Sequence, residues 1–124
     1  MAKPGNTGLS RVVNAGIYSM QGLAAAWKNE PAFRQECIIG LVLIPLAFWL
    51  AETWVEASVL IAVCFLVLIF ELLNSAIEAV VDRIGHEHHD LAGRAKDMGS
   101  AAVMLSLIMA FGTWLIILAH RLFG

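Results

Sequence analysis

Charge is scarce in this chain: Asp, Glu, Lys and Arg together make up 15% of its 124 residues, and the net charge is −2. Nothing in that balance points to a nucleic-acid partner. Cysteine is nearly absent. Cys37 and Cys64 both sit in apolar runs, outside any CxxC or Cys/His ligand spacing, and read as small apolar packing residues. The stretch from Met1 to Ser10 is polar and contains Gly and Pro where a leader would have an apolar segment, so insertion is expected to rely on the chain's own helices. There is no GxxxxGK loop, no kinase-type Gly-rich loop, no internal repeat and no low-complexity tract. Polar surface is the largest deficit. Hydrophobic residues reach 60% in a chain short for even one soluble domain, which points to lipid as the solvent.

The apolar residues fall into three runs. The first covers Cys37 to Leu50, extended by Phe33 and Trp54; the second covers Ala57 to about Val81; the third covers Ser100 to about Ala119. Crossing the hydrocarbon core takes about 20 helical residues. The second and third runs satisfy this, and the first needs its flanks. Pro45 inside the first is expected to bend it. Lys3, Arg11, Lys28 and Arg34 precede the first span, and Arg83, Arg94 and Lys96 lie between the second and third, whereas the loop Ala51 to Glu56 has no base. The positive-inside rule then puts the N-terminus and second loop in the cytoplasm and the C-terminus on the opposite side, with Arg121 as an exception.

Before the first span, Leu9, Val12, Val13, Gly16, Ile17, Met20, Leu23, Ala24 and Trp27 recur at helical spacing, with Arg11, Asn14, Ser19, Gln21 and Lys28 between them. This predicts an amphipathic helix on the cytoplasmic membrane surface; the plainer alternative is a helix packed on its own bundle. The segment Arg83 to Ala95 reads as a polar loop broken at Gly85 and Gly93. Its HEHHD run, His86 to Asp90, is read as solvated rather than as a metal site, since it lacks a defined ligand spacing.

Chemistry enters at the end of the second span. Glu71, Asn74, Ser75, Glu78 and Asp82 follow one another at steps of three and four, which puts them on one helical face over about 16 Å. Leu72, Ile77 and Val80 keep the other side apolar. A carboxylate within a span costs about 2.5 kcal/mol or more on insertion scales, so it normally faces protein or water and serves a function. Asn74 and Ser75 alone would pass as interhelical hydrogen-bond partners, and Glu78 and Asp82 as interfacial residues. Glu71 lies too deep for that. Three acids on one stripe also repel one another and call for a cation. Glu30, Arg34 and Glu36 at the entry of the first span, and Lys96, Asp97 and Ser100 at the start of the third, belong to the same membrane level. Carboxylates, a divalent ion and a lysine are the parts that phosphoryl transfer uses. On residue types alone, the chain is a membrane protein with a polar catalytic or transport site.

The stretches Glu71-Leu-Leu-Asn-Ser-Ala-Ile-Glu-Ala-Val-Val-Asp82 and Gly93-Arg-Ala-Lys-Asp-Met-Gly-Ser-Ala-Ala102, with Trp27 and Asn29-Glu-Pro-Ala-Phe-Arg-Gln-Glu36, closely resemble the bacterial integral-membrane diacylglycerol kinase family from Gly8 to the C-terminus. The resemblance implies an all-α membrane protein of one domain, a homotrimer with shared active sites. Each subunit would carry a surface helix at about 8–28 and transmembrane helices at about 33–52, 57–81 and 98–120. It implies the cell inner membrane, with the C-terminus in the periplasm. Its reaction would move the γ-phosphate of ATP, with Mg²⁺, to diacylglycerol, giving phosphatidate. By position, Glu71 would be the general base, and Glu30 and Glu78 would hold the metal. Nucleotide would be bound by these two with Lys96, Asp97, Arg11, Tyr18, Glu87, His88 and His89. Lipid would be met by Arg11, by Ala32, Phe33, Arg34, Gln35 and Glu36, and by Trp49, Glu71 and Ser100, with Asn74 in support. Pro31 is the departure: the family often has a small helix former there, although proline is tolerated in a first helical turn.

Overall likeness favours diacylglycerol over undecaprenol, the substrate of a kinase of the same fold. A small oligomeric transporter would also use in-membrane glutamates. A purely structural scaffold would leave the Glu71 stripe unexplained.

Overall fold

A computed structural model of the chain describes residues 7–124. Lys3 and the rest of the first six residues, on which part of the orientation and leader readings rests, lie outside them. The described residues form four helices in chain order: α1 Gly8–Asn29, α2 Pro31–Leu50, α3 Trp54–Ile84 and α4 Asp90–Phe123.

Local chemistry accounts for the boundaries. α1 ends at Glu30, whose backbone turns extended (φ −118°, ψ 98°), and Pro31 opens α2, where a missing N–H costs least. α2 runs on through Pro45, which cannot donate to the carbonyl of Leu41. Thr53 caps α3: its Oγ1 accepts from the Glu56 N–H at 3.1 Å, and Glu56 Oε1 accepts from the Glu52 N–H at 2.9 Å, a variant of the Thr-x-x-Glu box. His89 caps α4, its Nδ1 accepting from the Leu91 N–H at 3.1 Å.

That last cap corrects the reading of Arg83 to Ala95 as a loop. The non-helical link covers only residues 85–89, and Gly93 is inside α4, donating to the His89 carbonyl at 3.0 Å. His89 and the acidic Asp90 in the first turn start the helix early, and their contribution offsets the cost of about 1 kcal/mol for a helical glycine.

α2, α3 and α4 are each long and apolar enough to cross a membrane. At 31 and 34 residues, α3 and α4 are about 46 and 51 Å long, well beyond the roughly 30 Å of hydrocarbon. They pack along one another, with α2 against α3 and α1 touching α2 only lightly. The small core lies at the α2–α3 turn, where Ala47, Leu50 and Leu60 are buried under Trp114 and Ile117. Most large apolar side chains point outward, Leu41, Phe111 and Ile116 among them. In water such a surface would aggregate; it fits lipid and protein neighbours. α1 likewise shows Leu9, Val12, Ile17 and Met20 on its outside and buries only Ala26, so it is not packed along its length on its own bundle.

Candidate active site

The acidic stripe faces protein. Glu71 is 8% exposed, Asn74, Ser75 and Glu78 are half-buried, and Asp82 at the end of the row is exposed. Burial therefore falls steadily from the level of the lipid tails to the end of α3.

Each member of the row meets a different partner. The Glu71 carboxyl lies beside that of Glu36 on α2. Asn74 fits under Gly99 of α4 so closely that a Cβ there would collide with its side-chain oxygen. Lys96 Nζ, one turn earlier on α4, pairs with Asp82 Oδ1 at 2.8 Å and lies within the field of Glu78. Helical spacing sets this up, since residues 96 and 99 share the face of α4 that opposes residues 74, 78 and 82 of α3.

Two buried acceptors flank Glu71. Glu36 Oε1 and Asn74 Oδ1 both lack a hydrogen-bond partner among the described residues. A buried acceptor without a donor is costly, so this end of the stripe favours a ligand carrying a hydroxyl or N–H. From Glu36 a cavity of about 380 Å³ runs between α2, α3 and α4 past Gly40, Val67 and Leu107 to Trp114, apolar everywhere but at its Glu36 end.

The remaining residues singled out by sequence lie elsewhere. His88 and Asp97 line a second, open cleft of about 670 Å³ with Asp90 and Arg94. His88 pairs with Asp90 at 3.4 Å, and Glu87 is exposed beside it. On α1, Arg11 is exposed and Tyr18 half-buried. Ala32 and Gln35 are exposed, Phe33 is buried, and Arg34 turns back onto the end of α1. Ser100 is exposed. Trp49 is at the far end of α2, about 20 Å along the helix from Glu36, with the Arg121 guanidinium 6.0 Å from its ring. One chain thus gathers Glu36, Glu71, Asn74, Glu78, Asp82 and Lys96. Sequence reasoning missed Gly99 as Asn74's neighbour, although its spacing from Lys96 was a usable signal.

No three His, Cys, Asp or Glu side chains converge on a metal-ligand geometry among the described residues. Mg²⁺, a hard ion that takes one or two carboxylates and completes its shell with water and phosphate oxygens, does not require such a cluster. Glu30 and Glu78, both half-buried oxygen donors, are of the right chemistry.

Three helices long and apolar enough to cross a membrane, with a row of acids on α3 turned toward α2 and α4, mark a membrane protein with a polar site inside it. Residues 17–118 match the family model "Prokaryotic diacylglycerol kinase", and the chain belongs to that family. It is 54% identical over 112 residues to the diacylglycerol kinase of Escherichia coli (strain K12), a match covering 90% of this chain and 92% of that one. The diacylglycerol kinase of Pseudomonas aeruginosa is 53% identical over 114 residues (92% and 93% of the two chains), and that of Helicobacter pylori (strain 26695) is 46% identical over 111 (90% and 87%).

Proposed function

We propose that this chain transfers the γ-phosphate of ATP to the free hydroxyl of diacylglycerol, giving phosphatidic acid and ADP, as a homotrimer in the bacterial inner membrane. The observation that carries the reading is the burial of Glu71 beside two unpartnered acceptors, one of which, Glu36, lines the end of an apolar cavity. Family membership makes the chain a kinase, and its relatives are named for the same substrate.

The chemistry follows the burial gradient. The Glu71 carboxylate accepts the proton of the lipid hydroxyl, that oxygen bonds to the γ-phosphorus, and the bond from phosphorus to the ADP oxygen breaks. The Asn74 amide N–H can donate to the hydroxyl oxygen and hold it in line, and an acyl chain follows the cavity from Glu36 toward Trp114. Lys96 and Asp97 bind the nucleotide at the wetter end, with Arg11, Tyr18, Glu87, His88 and His89 helping to bind it. Mg²⁺ held by Glu30 and Glu78 would neutralise charge on the phosphates.

The trimer is supported by the wide apolar faces that α3 and α4 leave exposed. α1, apolar on its exposed side and basic at Arg11 and Lys28, suits the inner leaflet surface. The same bases support a cytoplasmic N-terminus and periplasmic C-terminus.

The test offers purified protein diacylglycerol or undecaprenol in mixed micelles with γ-labelled ATP and Mg²⁺. Label should appear in phosphatidic acid. Label in undecaprenyl phosphate alone would reassign the substrate, and ATP-independent solute counterflow in liposomes with no labelled lipid would make the chain a transporter.

A further inference from the structure

The last carbonyls of a helix need donors from outside it. In α1, the Ala26 carbonyl accepts from the Glu30 N–H at 2.8 Å. The Trp27 carbonyl would ordinarily take the N–H of residue 31, but Pro31 has none. The extended Glu30 backbone also carries the chain away before the N–H of Ala32 can serve Lys28. Arg34 supplies both: its Nη1 donates to Trp27 O at 2.6 Å and to Lys28 O at 3.1 Å. A cation at this spot also meets the negative end of the α1 dipole. The Arg34 backbone N–H donates to the Glu30 carbonyl at 3.2 Å, so Glu30 is held on both sides.

We infer that Arg34 is a positioning residue for nucleotide: its guanidinium braces the α1–α2 elbow that Pro31 breaks, and so fixes Glu30 and the angle at which α1 meets α2. This rests on the proposed role of Glu30 in binding MgATP. The resemblance grouped Arg34 with the lipid contacts, but a guanidinium committed to two main-chain carbonyls acts first through the backbone.

The test compares Arg34→Gln and Arg34→Lys with the parent for KM and kcat toward MgATP and toward diacylglycerol, and for the rate of tryptic cleavage after the exposed Lys28. Arg34→Gln should raise the KM for MgATP about tenfold, the worth of one charge-assisted hydrogen bond. It should also speed cleavage after Lys28 and leave the KM for diacylglycerol within about twofold. Arg34→Lys, which keeps the charge and a donor nitrogen on a shorter side chain, should fall between. In the double variant Glu30→Gln/Arg34→Gln, the KM for MgATP should be no higher than with Glu30→Gln alone. A rise confined to the KM for diacylglycerol, or effects of the two substitutions that simply add, would overturn the brace. A parent protein that phosphorylates no diacylglycerol would instead sink the kinase reading, and cleavage after Lys28 would still decide whether Arg34 holds the elbow.

Discussion

Replacing Glu71 by glutamine separates catalysis from architecture more cleanly than any other change in this protein. The amide keeps the size and shape of the side chain, so α3 retains its packing and the cavity its lining. What is lost is the acceptor for the lipid proton. General-base catalysis typically contributes about 10²–10⁴ in rate, or about 2.7–5.4 kcal/mol of barrier. Glu71 is 8% exposed, and its immediate neighbour is another carboxyl, Glu36, rather than water. Bulk solvent has little access to substitute for the base, so the loss in kcat should lie toward the upper end of that range. Stability should move the other way. Glu71 and Glu36 are acids in contact, and an amide in place of one removes their repulsion while providing an N–H for the unpartnered Glu36 Oε1. Turnover of labelled ATP in mixed micelles, with thermal unfolding and oligomer size measured in the same detergent, makes the comparison. The expected result is an inactive protein that melts no lower than its parent. Near-normal turnover would refute the base assignment, and a variant that unfolds or aggregates where its parent does not would make Glu71 a structural residue.

Two further outcomes follow from the contacts between α3 and α4, and a third from the proposed sharing of sites between chains. Lys96→Met should raise the KM for MgATP, whereas Asp82→Asn should leave thermal stability within error of the parent, because their 2.8 Å pair is solvent-exposed; a large drop in melting temperature for Asp82→Asn would show the pair to be structural. Gly99→Ala should destabilise the fold by about 1–3 kcal/mol and reduce turnover by pushing the Asn74 amide aside, and Asn74→Ala in the same chain should recover stability but not activity; failure of that rescue would mean the two residues do not meet. Mixing inactive Glu71→Gln and Asp97→Asn subunits should restore activity above either alone if sites are shared between chains. Mixtures that remain inactive after verified subunit exchange would confine each site to one chain.

The spans and the stripe were legible in the sequence for the same reason. Period and hydropathy are local properties, and at steps of three and four Glu71, Asn74, Glu78 and Asp82 had to share a face whatever α3 packed on. The partners of that face were legible only in part. Lys96 and Glu36 could be assigned to a membrane level by counting, but that Glu36 would lie against Glu71 depends on how α2 crosses α3, and no spacing within either helix fixes that. The start of α4 went unseen because a histidine cap was not weighed against Gly93, and a cap with a first-turn acid outweighs one helical glycine. Arg34 was hidden by its own charge. A base among acids suggests a ligand, and only the proline three residues earlier, which leaves Trp27 without a donor, indicates its backbone role.

The two substrates of such an enzyme have opposite solvation needs, and the length of α3 reconciles them. Diacylglycerol offers its hydroxyl at the edge of hydrocarbon, where a carboxylate is expensive to keep and water is scarce. ATP arrives from water as a polyanion. A helix no longer than the bilayer would have to hold every polar group at one depth, and would either bury the nucleotide site or hydrate the base. α3 instead carries its polar row about 16 Å from the buried Glu71 to the exposed Asp82, and α4 runs beside it from Asp90, so Lys96 stands at the wet end and Gly99 admits Asn74 nearer the dry end. Moving the row one helical turn toward the middle of the membrane would put Asp82 and Lys96 where their desolvation is no longer affordable. Moving it one turn outward would wet Glu71 and open its proton transfer to competing water.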